Sequence, residues 1–153
     1  MDNKDFVALI YENGKDTCEY YGIPVEVCIA QAVQETGWGK YISAKNNFWG
    51  IKGNPSNGTL QNTMEDKPTE AYFSNFDNLS DAVACYCRSV KGIIEEKGYT
   101  VDILSKDLAT GLSLLTRKTS PTSLYYAYDI NYDTEIASIV NDVKEYLKEI
   151  NGA

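Results

Sequence analysis

The residues from Ile23 to Gly53, IPVEVCIAQAVQETGWGKYISAKNNFWGIKG, constrain this chain more than any other stretch. Pro24 fits the first position of a helix, where its fixed φ suits the turn and its missing N–H costs nothing. Val25, Cys28, Ile29, Ala32 and Val33 recur at the spacing of a stripe packed on a core. Gly37 supplies a stop. Glu35 lies seven residues after Cys28 and three after Ala32, so the periodicity projects it from the buried stripe in the last turn. Glu26 is nine residues back, about half a revolution away, and is expected in solvent. Desolvation, the nearby Trp38 and Trp49 and the negative end of the helix dipole would all raise the Glu35 pKa. A carboxyl group protonated near neutral pH is what a general acid needs. The residues alone equally allow a capping or ion-paired helix-end glutamate.

Two motifs flank that carboxylate. The first is Ala30-Gln31-Ala32-Val33-Gln34-Glu35-Thr36-Gly37-Trp38-Gly39-Lys40, and the second is Asn46-Asn47-Phe48-Trp49-Gly50-Ile51-Lys52-Gly53. Together they resemble the signature of glycoside hydrolase family 73, the endo-β-N-acetylglucosaminidases of bacterial cell-wall turnover, which reads roughly AQAxxESGWG and then NLFGIKG. Thr36 stands for the usual Ser, Phe48 for Leu and Trp49 for Phe, all mild exchanges. The resemblance implies a peptidoglycan hydrolase with Glu35 as its acid. Trp38 and Trp49 are expected to pack around Glu35 and exclude water. Asn47 would orient backbone or substrate near the acid. Gly39 and Gly50 would let the chain pass closely under the sugar. Gln31, Phe48, Glu70 and Tyr132 complete the substrate-binding set with Trp38, Asn47 and Trp49.

A glycosidase commonly carries a second carboxylate. The resembled family places it on a hairpin in a T-x-E pattern. Thr63-Met64-Glu65 fits that pattern, and Phe73-Ser74-Asn75-Phe76 follows the family's strand ending loosely, without its Arg. Glu70 is the rival to Glu65, because sequence fixes hairpin register weakly. Tyr126-Ala127-Tyr128-Asp129-Ile130-Asn131-Tyr132 is similar to the family's Y-A-T-D-P-x-Y, which would make Tyr126 the active-site tyrosine. Tyr125 and Tyr128 compete in register, and a Tyr-rich loop packed on the first helix is the plainer reading. Lys91 to Ser120 carries no motif of the family.

The remaining pattern predicts a mostly helical α+β chain, similar to lysozyme-like folds, with a small hairpin lobe over about 54–76 flanking a substrate groove. Helices are expected over Asp2–Tyr21, Asp81 to about Lys97 with Ser80 as cap, Ile103–Thr116 and Asp133–Ile150. The first should turn Phe6, Leu9, Ile10, Cys18 or Thr17, and Tyr21 inward, weakened at Gly14. Two short runs, Thr59–Glu65 and Thr69–Phe76, read as the hairpin. With 153 residues, 43% of them apolar, the chain is long enough for one domain with a real core, and 1–153 is read as a single catalytic domain.

Charge and cysteines exclude several classes. The net charge is −8 with no basic patch, which argues against nucleic acid and against attraction to anionic membranes. Substrate would be held by hydrogen bonds and aromatic stacking instead. No run is apolar enough to span a bilayer, and MDNKDFVALIYENGK does not read as a secretion signal. Release as a phage lysin, or excision from a larger secreted autolysin, would still bring the chain to the cell wall. Cys18, Cys28, Cys85 and Cys87 are read as buried free thiols, with a Cys18–Cys85 or similar bridge left open. A chain without His makes zinc improbable. Asp129-x-Asn131-x-Asp133-x-Glu135 begins like a calcium loop, but Val140 stands where the bidentate Glu is needed, so no metal or cofactor is expected and Asp133 is read as a helix cap.

The resemblance implies a hydrolase that cuts the β-1,4 bond between N-acetylglucosamine and N-acetylmuramic acid, and a monomer is expected. The alternatives are a muramidase or lytic transglycosylase on the same glycan, or a wall-binding module without catalysis.

Overall fold

In chain order the helices and strands are α1 (Asn3–Tyr21), α2 (Val25–Thr36), β1 (Gly58–Asn62), β2 (Glu70–Ser74), α3 (Leu79–Glu96), α4 (Ile103–Lys106), α5 (Leu108–Ser113) and α6 (Tyr132–Ile150). The computed structural model describes residues 1–42, 44–52, 58–62, 70–116, 126 and 131–152, with backbone alone at 58–62 and 70–72.

α2 is the axis of the structure. It packs against α1, α3 and α6, so it is buried nearly all round and not along one stripe. Val27, Ala30, Gln31 and Thr36 are buried together with the expected Cys28, Ile29, Ala32 and Val33. Val25 and Glu26 are only half-buried, so Glu26 is less solvated than the helical wheel implied. A wheel shows which residues share a face; it does not show how many faces find partners. Pro24 is the N-cap and not the first helical residue, with φ −57° and ψ 126°. Its carbonyl accepts from Val27 N at 3.0 Å and Cys28 N at 3.3 Å.

The C-terminal end of α2 is tied off twice. Gly37 takes a left-handed φ of 59° and its N–H reaches Val33 O at 2.8 Å. The Thr36 hydroxyl donates to Ala32 O at 2.7 Å and accepts from Gly39 N at 2.8 Å. Either Ser or Thr can make that pair of bonds, which explains why the exchange at this position is mild.

The other helices follow the predicted periodicity, with corrections at their ends and inner faces. Asp2 caps α1 by accepting from Asp5 N at 2.8 Å. Its buried face is Phe6, Val7, Ile10, Gly14 and Cys18; Leu9 and Tyr21 are half-buried. Gly14 serves packing: a Cβ there would lie 3.1 Å from Val83 Cγ2, so glycine lets α3 approach α1. Asn78, not Ser80, caps α3, accepting from Asp81 N at 2.8 Å, while Ser80 donates to Asn13 O at 3.0 Å. The helix expected over Ile103–Thr116 is two, broken at Asp107, whose side chain caps α5 by accepting from Thr110 N at 3.2 Å. α6 begins one residue early, at Tyr132, with Asn131 at the N-cap; Asp133 lies in its first turn and accepts from the adjacent Thr134 N.

β1 and β2 pair antiparallel from Gly58↔Ser74 to Asn62↔Glu70. Residues 54–57 and 63–69 of the expected hairpin lobe, Glu65 among them, lie outside the described residues. A bridge between Lys52 and Phe73, with Ser74 N bonded to Ile51 O at 2.9 Å, ties the second motif to β2.

The buried apolar side chains form one cluster fed by α1, α2, α3, α5, α6 and the Phe48-Trp49 pair. Cys18, Cys28 and Cys87 are buried in it and Cys85 is half-buried; all four are free thiols. Among the described residues no group of side chains could hold a metal ion, and no helix is long and apolar enough to cross a membrane.

Gly39 shows how tightly the first motif meets this core. Its φ is 86°, and a Cβ would stand 2.6 Å from Phe6 Cδ1, so the residue admits an aromatic ring of α1. Gly39→Ala should therefore destabilise the fold by roughly 2–4 kcal/mol, combining a strained φ with overpacking, as read by urea unfolding.

Candidate active site

Glu35 occupies the last turn of α2, beside the αL residues Gly37 and Trp38. Its side chain is open to solvent on one side while protein surrounds the carboxyl on the others. Glu35 is thus not a core residue: the carboxylate expected to point inward from the buried stripe has an exposed side chain. Oε1 accepts from the Tyr132 hydroxyl at 3.3 Å. Oε2 lies against Gly50, where φ is 65° and a Cβ would approach it to 3.2 Å. Any larger residue at 50 would both strain the backbone and crowd the carboxyl. Burial pushes the Glu35 pKa above the ordinary carboxylate value; the Tyr132 hydrogen bond and the charge of Lys52 work against that rise without cancelling it.

A polar chain runs from Glu35 into the core. The Gln31 amide, one turn earlier on α2, donates from Nε2 to the Tyr132 hydroxyl at 3.3 Å. Tyr86 of α3 donates its own proton to Gln31 Oε1. Gln31 and Tyr86 are fully buried and Tyr132 nearly so, yet no buried side-chain polar atom among the described residues lacks a partner. Outside this chain, Gln34 Nε2 donates to Glu135 Oε2 at 2.6 Å, a second link between α2 and α6.

Aromatic rings wall the chain. Tyr126 and Tyr132 stack with centroids 6.2 Å apart, and Tyr86 meets Tyr126 edge-on at 6.0 Å. The Tyr126 hydroxyl donates to Trp49 O at 2.5 Å. Trp49 is only 1% exposed, and its Nε1 donates to Cys28 O at 2.9 Å.

The fold therefore brings Glu35, Gln31, Tyr126, Tyr132 and the Trp49-Gly50 turn together. Asn47 organises that turn from beneath: its Oδ1 accepts from Trp49 N and Ile51 N, and its Nδ2 donates to Ile51 O at 2.8 Å and Ser74 O at 3.0 Å. It is fully occupied with backbone. Phe48 packs between Phe6 and Trp49 at the edge of the core. Trp49, expected beside Glu35, faces the core, and Trp38 is half-buried, edge-on to Tyr146 of α6 at 5.8 Å. Glu70 begins β2 opposite Asn62, and Glu65 lies outside the described residues.

Tyr86 and Lys52 were not foreseen as parts of this neighbourhood. Tyr86 falls three residues after Val83 on the apolar face of α3, and a tyrosine on a buried stripe needs a hydroxyl partner, which is the signal that could have found it.

The raised pKa has a consequence for stability. The folded state holds the Glu35 proton more tightly than the unfolded chain, so wild-type stability falls as pH rises from the unfolded value through the folded one. Glu35→Gln should therefore be more stable than wild type at pH 7, by less than about 1 kcal/mol given the open face of the side chain. The gain should vanish near pH 3, as read by chemical denaturation at both pH values.

Among known proteins, a family model identifies the family and solved structures share the fold. The sequence matches the glucosaminidase family, described as mannosyl-glycoprotein endo-β-N-acetylglucosaminidase, over residues 12–145. The fold is similar to that of the glycoside hydrolase domain of Salmonella typhimurium FlgJ, with TM-score 0.71 and 22% identity over 99% of this chain and 94% of that one. It is also similar to a peptidoglycan hydrolase mutant from Sphingomonas sp. A1, with TM-score 0.72 and 20% identity over 95% and 99% of the two chains. The catalytic domain of the Listeria monocytogenes autolysin Auto gives TM-score 0.67 and 18% identity over 94% and 86%. No curated protein sequence matches. With the family match spanning most of its length, the chain belongs to the glucosaminidase family and is a glycoside hydrolase.

Proposed function

We propose that this enzyme is an endo-β-N-acetylglucosaminidase of peptidoglycan. It hydrolyses the β-1,4 bond between N-acetylglucosamine and N-acetylmuramic acid and leaves reducing N-acetylglucosamine. The observation that carries this reading is Glu35: a carboxyl at the end of the central helix, open on one side, with its pKa raised by burial. Such a group keeps its proton to higher pH than an ordinary carboxyl and can deliver it to the glycosidic oxygen as the bond to the anomeric carbon breaks. The Tyr132 hydroxyl fixes one carboxyl oxygen, and the glycine at position 50 leaves room for substrate over the other.

The second partner in this scheme comes from the hairpin. Glu65 activates the attacking water or stabilises the oxocarbenium-like state, Glu70 is the rival for that role, and the 2-acetamido group of the substrate is the third candidate. Tyr126, Tyr132 and Trp38 line the reacting side, and Gln31, Asn47, Phe48 and Trp49 shape it from behind. The hairpin lobe forms one wall of the groove. The whole chain acts as one monomeric catalytic domain on the cell wall.

A general acid must be protonated to work, so activity should fall as pH rises through the Glu35 pKa. Glu35→Gln should lower the rate by about a hundredfold to ten-thousandfold while substrate binding survives. Mass spectrometry of digested peptidoglycan should find reducing N-acetylglucosamine ends. Reducing N-acetylmuramic acid or anhydro ends would instead assign a muramidase or a lytic transglycosylase, and full lysis by Glu35→Gln would remove Glu35 from the mechanism.

A further inference from the structure

The polar chain behind Glu35 has a direction. Tyr86 donates to Gln31 Oε1, Gln31 Nε2 donates to Tyr132, and Tyr132 donates to Glu35 Oε1. Each link constrains the next. The Tyr86 side chain is completely buried, so its proton needs a protein acceptor. Its neighbours Cys18, Cys28 and Cys87 are thiols held protonated by their contacts with one another and by burial, and sulfur is a weak acceptor. Gln31 Oε1 takes that proton, which turns the amide so that its NH2 faces Tyr132. The Tyr132 oxygen then receives a hydrogen bond from Gln31 and sends its own proton to Glu35.

The reversed arrangement is the competitor. With the amide flipped, Tyr132 would donate to Gln31 Oε1 and leave Glu35 without its donor, while the Tyr86 proton would lose its oxygen acceptor. A buried unmet hydroxyl is what disfavours that state.

We propose that Tyr86 is a positioning residue for the reaction, acting through the Gln31 amide to aim the Tyr132 proton at Glu35. This rests on the reading of Glu35 as the general acid and goes beyond it by assigning a device, set in the core, that tunes that acid. The groups facing Glu35 are Tyr132 on α6, Tyr126 ahead of it, and Lys52 after the Trp49-Gly50 turn. Glu135, also on α6, faces Tyr132 and is held by Gln34. Of these, Tyr126 meets Tyr86 edge-on at 6.0 Å, and Tyr132 reaches it through Gln31.

The test removes one hydroxyl. In Tyr86→Phe, Gln31 Oε1 loses its donor and the flipped amide becomes favourable, so Tyr132 turns away from Glu35. The Glu35 carboxyl then loses a hydrogen bond to its charged form, and its pKa should rise by about half a unit to one unit. Two readouts follow it in the full chain: NMR titration of 13C-carboxyl-labelled glutamate, and the alkaline limb of kcat/KM against pH on peptidoglycan. Both should move up together. Gln31→Met, alone or combined with Tyr86→Phe, leaves the Tyr132 proton no oxygen acceptor but Glu35, so both readouts should return to the wild-type position. The double variant also removes the orphaned amide. An unchanged Glu35 titration in Tyr86→Phe, or a shift that persists in the double variant, overturns the proposal. A titration that moves while the rate limb stays shows that Glu35 is not the acid, and overturns the reading on which the proposal rests.

Discussion

The enclosure of α2 on three sides is the constraint on which the rest of the structure depends. A helix buried so completely has few positions where a polar side chain can sit, and each must find a partner. Gln31 and Glu35 are one turn apart at its C-terminal end, and both turn toward α6. One becomes the buried hub of a hydrogen-bond chain, and the other emerges where the helix stops. The stop is enforced by Gly37 in the left-handed region and by the Thr36 hydroxyl, which returns the chain at Gly39. Glu35 is thus held by rigid structure on one side and left open on the other.

The second motif is the complement of the first. Asn47 uses its whole amide to bind backbone, which fixes the turn that carries Trp49 and Gly50. Trp49 anchors that turn into the core through Cys28 O, and Tyr126 clasps its carbonyl from the other side. The result delivers Gly50 against the Glu35 carboxyl. Two motifs a dozen residues apart in sequence therefore meet at one carboxylate, which α6 contacts through Tyr132.

Much of this arrangement is legible in the amino-acid sequence. The apolar periodicities of α1, α2, α3 and α6 place those helices within a few residues, and the paired motifs single out Glu35. The errors have a common cause: periodicity identifies a face but not what meets it. Gly14 reads as a weak point in its helix and is a close-approach site against Val83. Trp49 reads as a wall for the acid and is a core anchor. Tyr86 carries no motif, because its partner Gln31 lies on another helix, 55 residues away in sequence. The second carboxylate is the least legible element, since Glu65 and Glu70 differ by a hairpin register that short polar strands specify weakly.

The central claim is that Glu35 delivers a proton to the departing oxygen. The most direct measurement compares Glu35→Gln with wild type on aryl glycosides of N-acetylglucosamine oligomers with leaving groups of graded basicity. A general acid matters little when the leaving group departs unaided, so the deficit should be small for a dinitrophenyl glycoside and grow steadily as the phenol becomes more basic. A deficit of the same size across the whole series would contradict the account.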